Sequence, residues 1–111
     1  MPWKEVETYL TADLMVTARF EVQANRVKEL QVILHKAAGG TDAWIVRIET
    51  HGGLPHKHVA WDDDGENRHK PLKGWPKDYP SILSKAISDL KENGEKYEAR
   101  YDAWTQKAAK K

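Results

Sequence analysis

"LMVTARFEVQANRVKELQVILHK", residues 14–36, decides the fold. Leu14, Val16, Ala18, Phe20 and Val22 share one phase of a two-residue period, while Thr17, Arg19 and Glu21 hold the other. Two faces of opposite polarity at that period belong to a half-buried strand. The pattern returns after Ala24-Asn25, with Leu30, Val32 and Leu34 on one face. A link that short is what a hairpin needs.

Outward from this hairpin the punctuation is regular. Gly39 and Gly40 in "AAGGTD" supply a turn, since glycine accepts positive φ without steric cost. "AWIVRIET" follows, with Trp44, Val46 and Ile48 expected on one face. After "GGLP", the stretch "HKHVAWD" starts a fourth strand with Val59 and Trp61 toward the core. "NRHKPL" is a weaker fifth, and Pro71 confines it to an edge or ends it there. The first ten residues read as a short helix or an irregular arm anchored by Trp3 and Tyr9.

Beyond "KGWPKDYP" the period changes. Leu83, Ile87, Leu90, Tyr97, Tyr101 and Trp104 recur at steps of three, four and seven, which is one face of a helix. Asp78 or Ser81 suits its cap and Pro80 its first turn. Gly94 lies on the apolar stripe, as a close-packing point or a break. The expected fold is α+β: an antiparallel meander of four to five strands with a long C-terminal helix packed on one face. Residues 1–12 form the arm, 13–104 a single domain and 105–111 a basic tail.

The chain has 111 residues, enough for one core. Lys and Arg number 18 against 17 Asp and Glu, so no bulk charge favours nucleic acid and any such role rests on a local patch. Cysteine is absent, which excludes disulfides, thiolate catalysis and Cys-ligated zinc. No apolar run approaches the length of a membrane span, and "MPWKEVETYL" lacks the core of a signal peptide. A soluble, cytoplasmic protein is expected.

Four of the five histidines fall within "HGGLPHKHVAWDDDGENRHK", residues 51–70. His56 and His58 are two apart, so on a strand they face the same way, opposite to Val59 and Trp61. With Asp64-Gly65 at the centre of a tight hairpin, Ala60 pairs with His69, which joins the same face. A slip of one residue would remove it.

Three readings of this cluster stand side by side. Imidazoles near neutral pKa can move protons in RNA cleavage by the 2′-hydroxyl, with Arg47, Lys57, Arg68 or Lys70 binding the phosphate and Trp61 or Trp75 stacking a base. The same histidines with Asp62 (His56, His58, His69, Asp62) could instead ligate a divalent metal such as zinc, nickel or manganese. The third reading is a solvated polar face without chemistry. His35, next to Lys36, is expected to face solvent. Asp62-Asp63-Asp64 reads as a turn whose carboxylates accept backbone N–H bonds. There is no phosphate loop, no nucleophile elbow and no His-Glu-x-x-His.

"WIVRIETHGGLPHKHVAWDDDG" followed by "SILSKAISDLKENGEKYEARY" resembles small uncharacterised prokaryotic proteins with an "R-x-D/E-x-x-H-G-x-P-H" core and a "DL-x-x-N" helix. These look related to the TumE-like toxins of type II toxin–antitoxin systems. The residues carrying the resemblance are Arg47, Glu49, His51, Pro55, His56 and His58, then Asp89, Leu90 and Asn93. It implies a ribonuclease toxin partnered by an antitoxin encoded beside it, with Arg47, Glu49, His51, His56 and His58 as functional positions. Glu49 stands where the toxin pattern favours Asp, and the spacing that follows differs; Glu49 also alternates with Arg47 on the strand, so the two could instead pair across a surface.

The expected function is a small RNA-cleaving toxin, with His56 and His58 as the acid–base pair, His51 or His69 assisting, and Arg47, Lys57 and Lys70 on the phosphate. No cofactor is required unless a divalent metal is bound. The alternatives are a non-enzymatic protein-interaction module of a phage or mobile element, and a metal-dependent enzyme on the same histidines. The expected partners are an antitoxin or other protein, RNA, and a second copy of the chain through an edge strand.

Overall fold

The alternation centred on residues 14–36 extends on both sides into one antiparallel sheet. The computed structural model describes residues 3–23, 26–38, 41–51, 54–62, 72 and 74–109. Along them run β1 (Trp3–Tyr9), β2 (Leu14–Gln23), β3 (Arg26–Ala38), β4 (Thr41–His51), β5 (Leu54–Val59), a short 3₁₀ turn (Ala60–Asp62) and α1 (Tyr79–Ala109). The strands lie in the order β1-β2-β3-β4-β5, each antiparallel to the next. This is the expected α+β meander with its C-terminal helix on one face.

The five strands are not all the expected ones. Residues 3–9, expected as a short helix or irregular arm, pair with β2 as an edge strand. Lys4, Glu5, Glu7 and Thr8 leave Val6 as the one aliphatic side chain between Trp3 and Tyr9, so this edge carries no apolar alternation to read. The fourth expected strand is β5, which begins at Leu54 and gives way to the 3₁₀ turn after Val59. The weak strand over 67–72 and the Asp64-Gly65 hairpin lie outside the described residues, apart from Leu72, whose N–H donates to the Pro55 carbonyl at 2.9 Å.

One face of the sheet meets α1. Leu14, Val16, Leu30, Val32, Leu34, Val46 and Ile48 are buried there against Ile82, Ala86 and Leu90, which recur at every fourth residue of the helix. Each such aliphatic side chain contributes about 1.5–3 kcal/mol by leaving water. Asp78 caps the helix, its carboxylate accepting the Ser81 N–H at 3.1 Å. Gly94 is a close-packing point, not a break: a Cβ there would lie 2.6 Å from Leu10 Cδ1. The helix continues past Trp104 to Ala109, into the stretch expected as a tail. Among the described residues, no helix is long and apolar enough to cross a membrane.

A bulge in β4 corrects one expected face. Leu34 and His35 of β3 oppose Val46 and Trp44, so Ile45 is the inserted residue. Ile45 is fully buried, and Trp44 sits opposite His35 instead of sharing a face with Val46 and Ile48. The face away from α1 therefore presents Thr17, Gln31, Ile33, His35, Trp44, Arg47, Glu49, His56 and His58 in adjoining rows.

Candidate functional site

β4 and β5 build the candidate site by register. Arg47 pairs with His58 and Glu49 with His56, so all four project from the face away from the helix. His56 and His58 lie there as the two-residue period requires. Glu49 reaches diagonally: its Oε1 lies 3.0 Å from His58 Nε2, while its Oε2 accepts a hydrogen bond from Gln31 Nε2 at 3.1 Å. The carboxylate is thus fixed from two sides. The Arg47 guanidinium stacks over the Trp44 ring, 4.7 Å from its centroid.

This cluster is recessed. The His58 side chain keeps 9% and that of Glu49 25% of its exposure. Among the described residues, Arg47 Nε and His56 Nδ1 are buried atoms that find no hydrogen-bond partner. Buried polar atoms are paired in most native structures, and exceptions gather where a ligand or a reaction completes the set.

Lys57, between the two histidines, points the other way. Its ammonium donates to the Tyr97 hydroxyl at 2.9 Å and lies 3.2 Å from Asp89 Oδ2. Tyr97 donates to the same Asp89 oxygen at 2.9 Å, and Asn93 Nδ2 donates to Asp89 Oδ1 at 3.0 Å. Burial works against the Lys57 charge, but the Tyr97 and Asp89 oxygens outweigh it and hold its pKa above the ordinary value. Burial, with Asp89 alongside, also pushes the Tyr97 hydroxyl up against the opposing pull of Lys57. Lys57 therefore ties β5 to α1, on the side of the sheet away from His56 and His58. Asp89 and Asn93, the polar residues of the "DL-x-x-N" stretch, serve this same tie.

A second cluster on the outer face was not legible as a site. His35 is buried, not solvent-facing: its Nε2 lies 2.6 Å from Thr17 Oγ1 and its Nδ1 2.7 Å from Asp42 Oδ1. Both ring nitrogens are engaged, which is how a histidine 8% exposed satisfies its polar atoms. The available signal was the Gly-Gly pair in the sequence between β3 and β4; the register of those strands sets Ala37 opposite Asp42 and brings that carboxylate within a diagonal of His35.

The structure thus brings together Arg47, Glu49, His56 and His58. His69, Lys70 and Arg68 lie outside the described residues, as do the side chains of His51 and Asp62. Of the expected metal set, His56 and His58 can be placed, and among the described residues no group of three or more His, Asp or Glu converges as a metal site. Trp61 and Trp75 belong to the helix side, where Arg100 and Lys85 stack on them at 4.9 and 5.1 Å. Trp44 is the indole beside the histidines.

No curated protein and no solved structure matches the chain. A family described as a domain of unknown function, DUF7718, matches residues 1–107, and the chain belongs to that family.

Proposed function

We propose that this protein is a small ribonuclease of the toxin type, acting in the cytoplasm and restrained by an antitoxin. The observation that carries the reading is the Glu49–His58 contact at 3.0 Å, beside Arg47 and on the same face as His56. A carboxylate on one imidazole nitrogen fixes the orientation of the ring. Within the His56–His58 pair, one imidazole takes the proton of a ribose 2′-hydroxyl. The 2′-oxygen attacks phosphorus, and the bond to the 5′-oxygen breaks. The other imidazole of the pair returns a proton to that leaving oxygen, and a 2′,3′-cyclic phosphate remains. Arg47 supplies the charge that the crowded phosphorus requires in the transition state. The resemblance of the stretch from Arg47 to His58 to TumE-like toxins supports the same assignment.

The test is incubation of purified protein with labelled mixed-sequence RNA, with and without EDTA, beside His56→Ala and His58→Ala variants. Cleavage that survives EDTA and disappears in both variants is expected. Cleavage abolished by EDTA would move the chemistry to a metal. Intact RNA with folded wild-type protein would remove the enzymatic reading.

A protein-interaction module is the second reading. It draws on β1, an edge strand with Val6 and Tyr9 exposed at 52% and 66%.

A further inference from the structure

β5 pairs with β4 only from Val46 onward, and beyond its end the first residues of β4 border a recess under the C-terminal half of α1. The recess measures about 320 Å³ and is lined by Asp42, Ala43, Trp44, Ala60, Tyr101 and Trp104. Ala43 and Ala60 take up little of it. Tyr101 and Trp104 stand as a tilted aromatic pair, with centroids 5.8 Å apart. Trp104 is 42% exposed although it closes the apolar stripe of the helix.

The neighbouring indoles show what such a ring takes. Arg47 stacks on Trp44, Arg100 on Trp61 and Lys85 on Trp75, at 4.7, 4.9 and 5.1 Å. Among the described residues, none places a cation on Trp104. Among the residues that line the recess, Asp42 is the one charged side chain. Asp42 lends Oδ1 to His35, yet its side chain is 67% exposed, so the carboxylate also faces solvent. Lys36, opposite Ala43 in the sheet, is held by Glu98 at 3.2 Å and Asp102 at 2.8 Å and offers no free positive charge. A phosphate would meet carboxylates here, whereas a cation meets aromatic faces and an acceptor.

We propose that the recess binds an arginine side chain of a partner protein, with the guanidinium stacked on Trp104 and hydrogen-bonded to Asp42. Arginine fits better than lysine because its planar group can lie on an indole while its edge donates to a carboxylate. Arg47, Glu49, His56 and His58 do not line the recess; Trp44, which carries Arg47, does, and the variants below leave Trp44 in place.

The experiment is a titration of the full chain followed by the tryptophan indole signals in proton–nitrogen correlation spectra. The probes are acetyl-Gly-Arg-Gly-amide and its citrulline analogue, which keeps the shape and removes the charge. The arginine peptide is expected to shift the Trp104 signal saturably and to bind about three- to thirty-fold more tightly than the citrulline peptide. Trp104→Ala, followed through the Trp44 indole that also lines the recess, and Asp42→Asn, each shown folded by its spectrum, should lose that preference. Equal binding of the two peptides, binding of neither, or shifts that spare Trp104 would overturn the proposal. So would a short DNA oligonucleotide that moves Trp104 where the arginine peptide does not, and it would assign the recess to nucleic acid.

Discussion

Lys57 Nζ lies 3.2 Å from Asp89 Oδ2, joining the middle of the His-Lys-His strand to the helix on the opposite side of the sheet. One strand thus carries candidate chemistry on one face and its own anchor on the other. Tyr97 bridges the same two groups, so Lys57, Tyr97 and Asp89 bond to one another between β5 and α1, with Asn93 on the other Asp89 oxygen.

Removing one member should cost stability. Asp89→Ala leaves the half-buried Lys57 with Tyr97 alone, and a loss of about 1–3 kcal/mol is expected, the range for hydrogen bonds to charged groups. Urea denaturation measures it. A Lys57→Met/Asp89→Leu double variant should recover part of the loss, because no charge is then stranded. A double variant no better than the sum of its singles would disprove the coupling.

The same tie sets an alkaline limit. Lys57 holds its proton more tightly in the fold than at its ordinary value of 10.5, so its contribution is full below that value and fades as pH rises through the folded one. Tyr97 acts in the same direction from its ordinary 10.0, since the fold favours the protonated hydroxyl. The urea midpoint should therefore be insensitive to these two groups up to about pH 9 and fall above about pH 10. A Lys57→Met/Tyr97→Phe variant should show a smaller alkaline fall than wild type.

Thr17 and His35 bury a hydrogen bond of 2.6 Å on the outer face. Thr17→Val keeps the shape but strands an imidazole nitrogen, at an expected cost of about 1–3 kcal/mol. Asp42→Asn should cost less, because that side chain is largely exposed and the amide can still bond to the ring. Thermal unfolding of both variants ranks them; the reverse order would show that the carboxylate dominates.

Gly94 tests the packing of α1. Alanine gains helix propensity of about 1 kcal/mol and needs only the flexible end of Leu10 to move, so stability should stay within about 1 kcal/mol of wild type. Gly94→Leu also presses on Leu14 and Leu34 and should lose about 1–3 kcal/mol or more. Denaturant midpoints decide it, and a tolerated leucine would contradict the close approach.

If the histidine face cleaves RNA, Glu49→Gln should lower the rate about 10²-fold while the fold persists, because the amide can no longer stabilise the imidazolium of His58. The alkaline or acidic limb of the pH–rate profile should move as well. A variant as fast as wild type with an unchanged profile would leave Glu49 a surface partner of His58.

The alternation of β2, β3 and β4 was legible because one face of each is buried and water enforces the period. The helix was legible for the same reason, from Leu83 to Tyr101. β1 was not, since an edge strand with little apolar contact carries no such mark. The side on which His56 and His58 lie followed from their spacing. That Lys57 must then face the helix follows from the same rule, but its burial could be seen only once Tyr97 and Asp89, 40 and 32 residues further along the chain, were known to stand opposite.

The sequence by itself determined the strand–turn–strand order, the helix and the shared face of His56 and His58, because these rest on local periods of two and 3.6 residues. Only the tertiary structure decided that Ile45 bulges inward, that Trp44 turns outward to hold Arg47, and that His35 is buried between Thr17 and Asp42. Those outcomes depend on how neighbouring strands register, and one inserted residue reverses a face without altering the apolar content of the stretch.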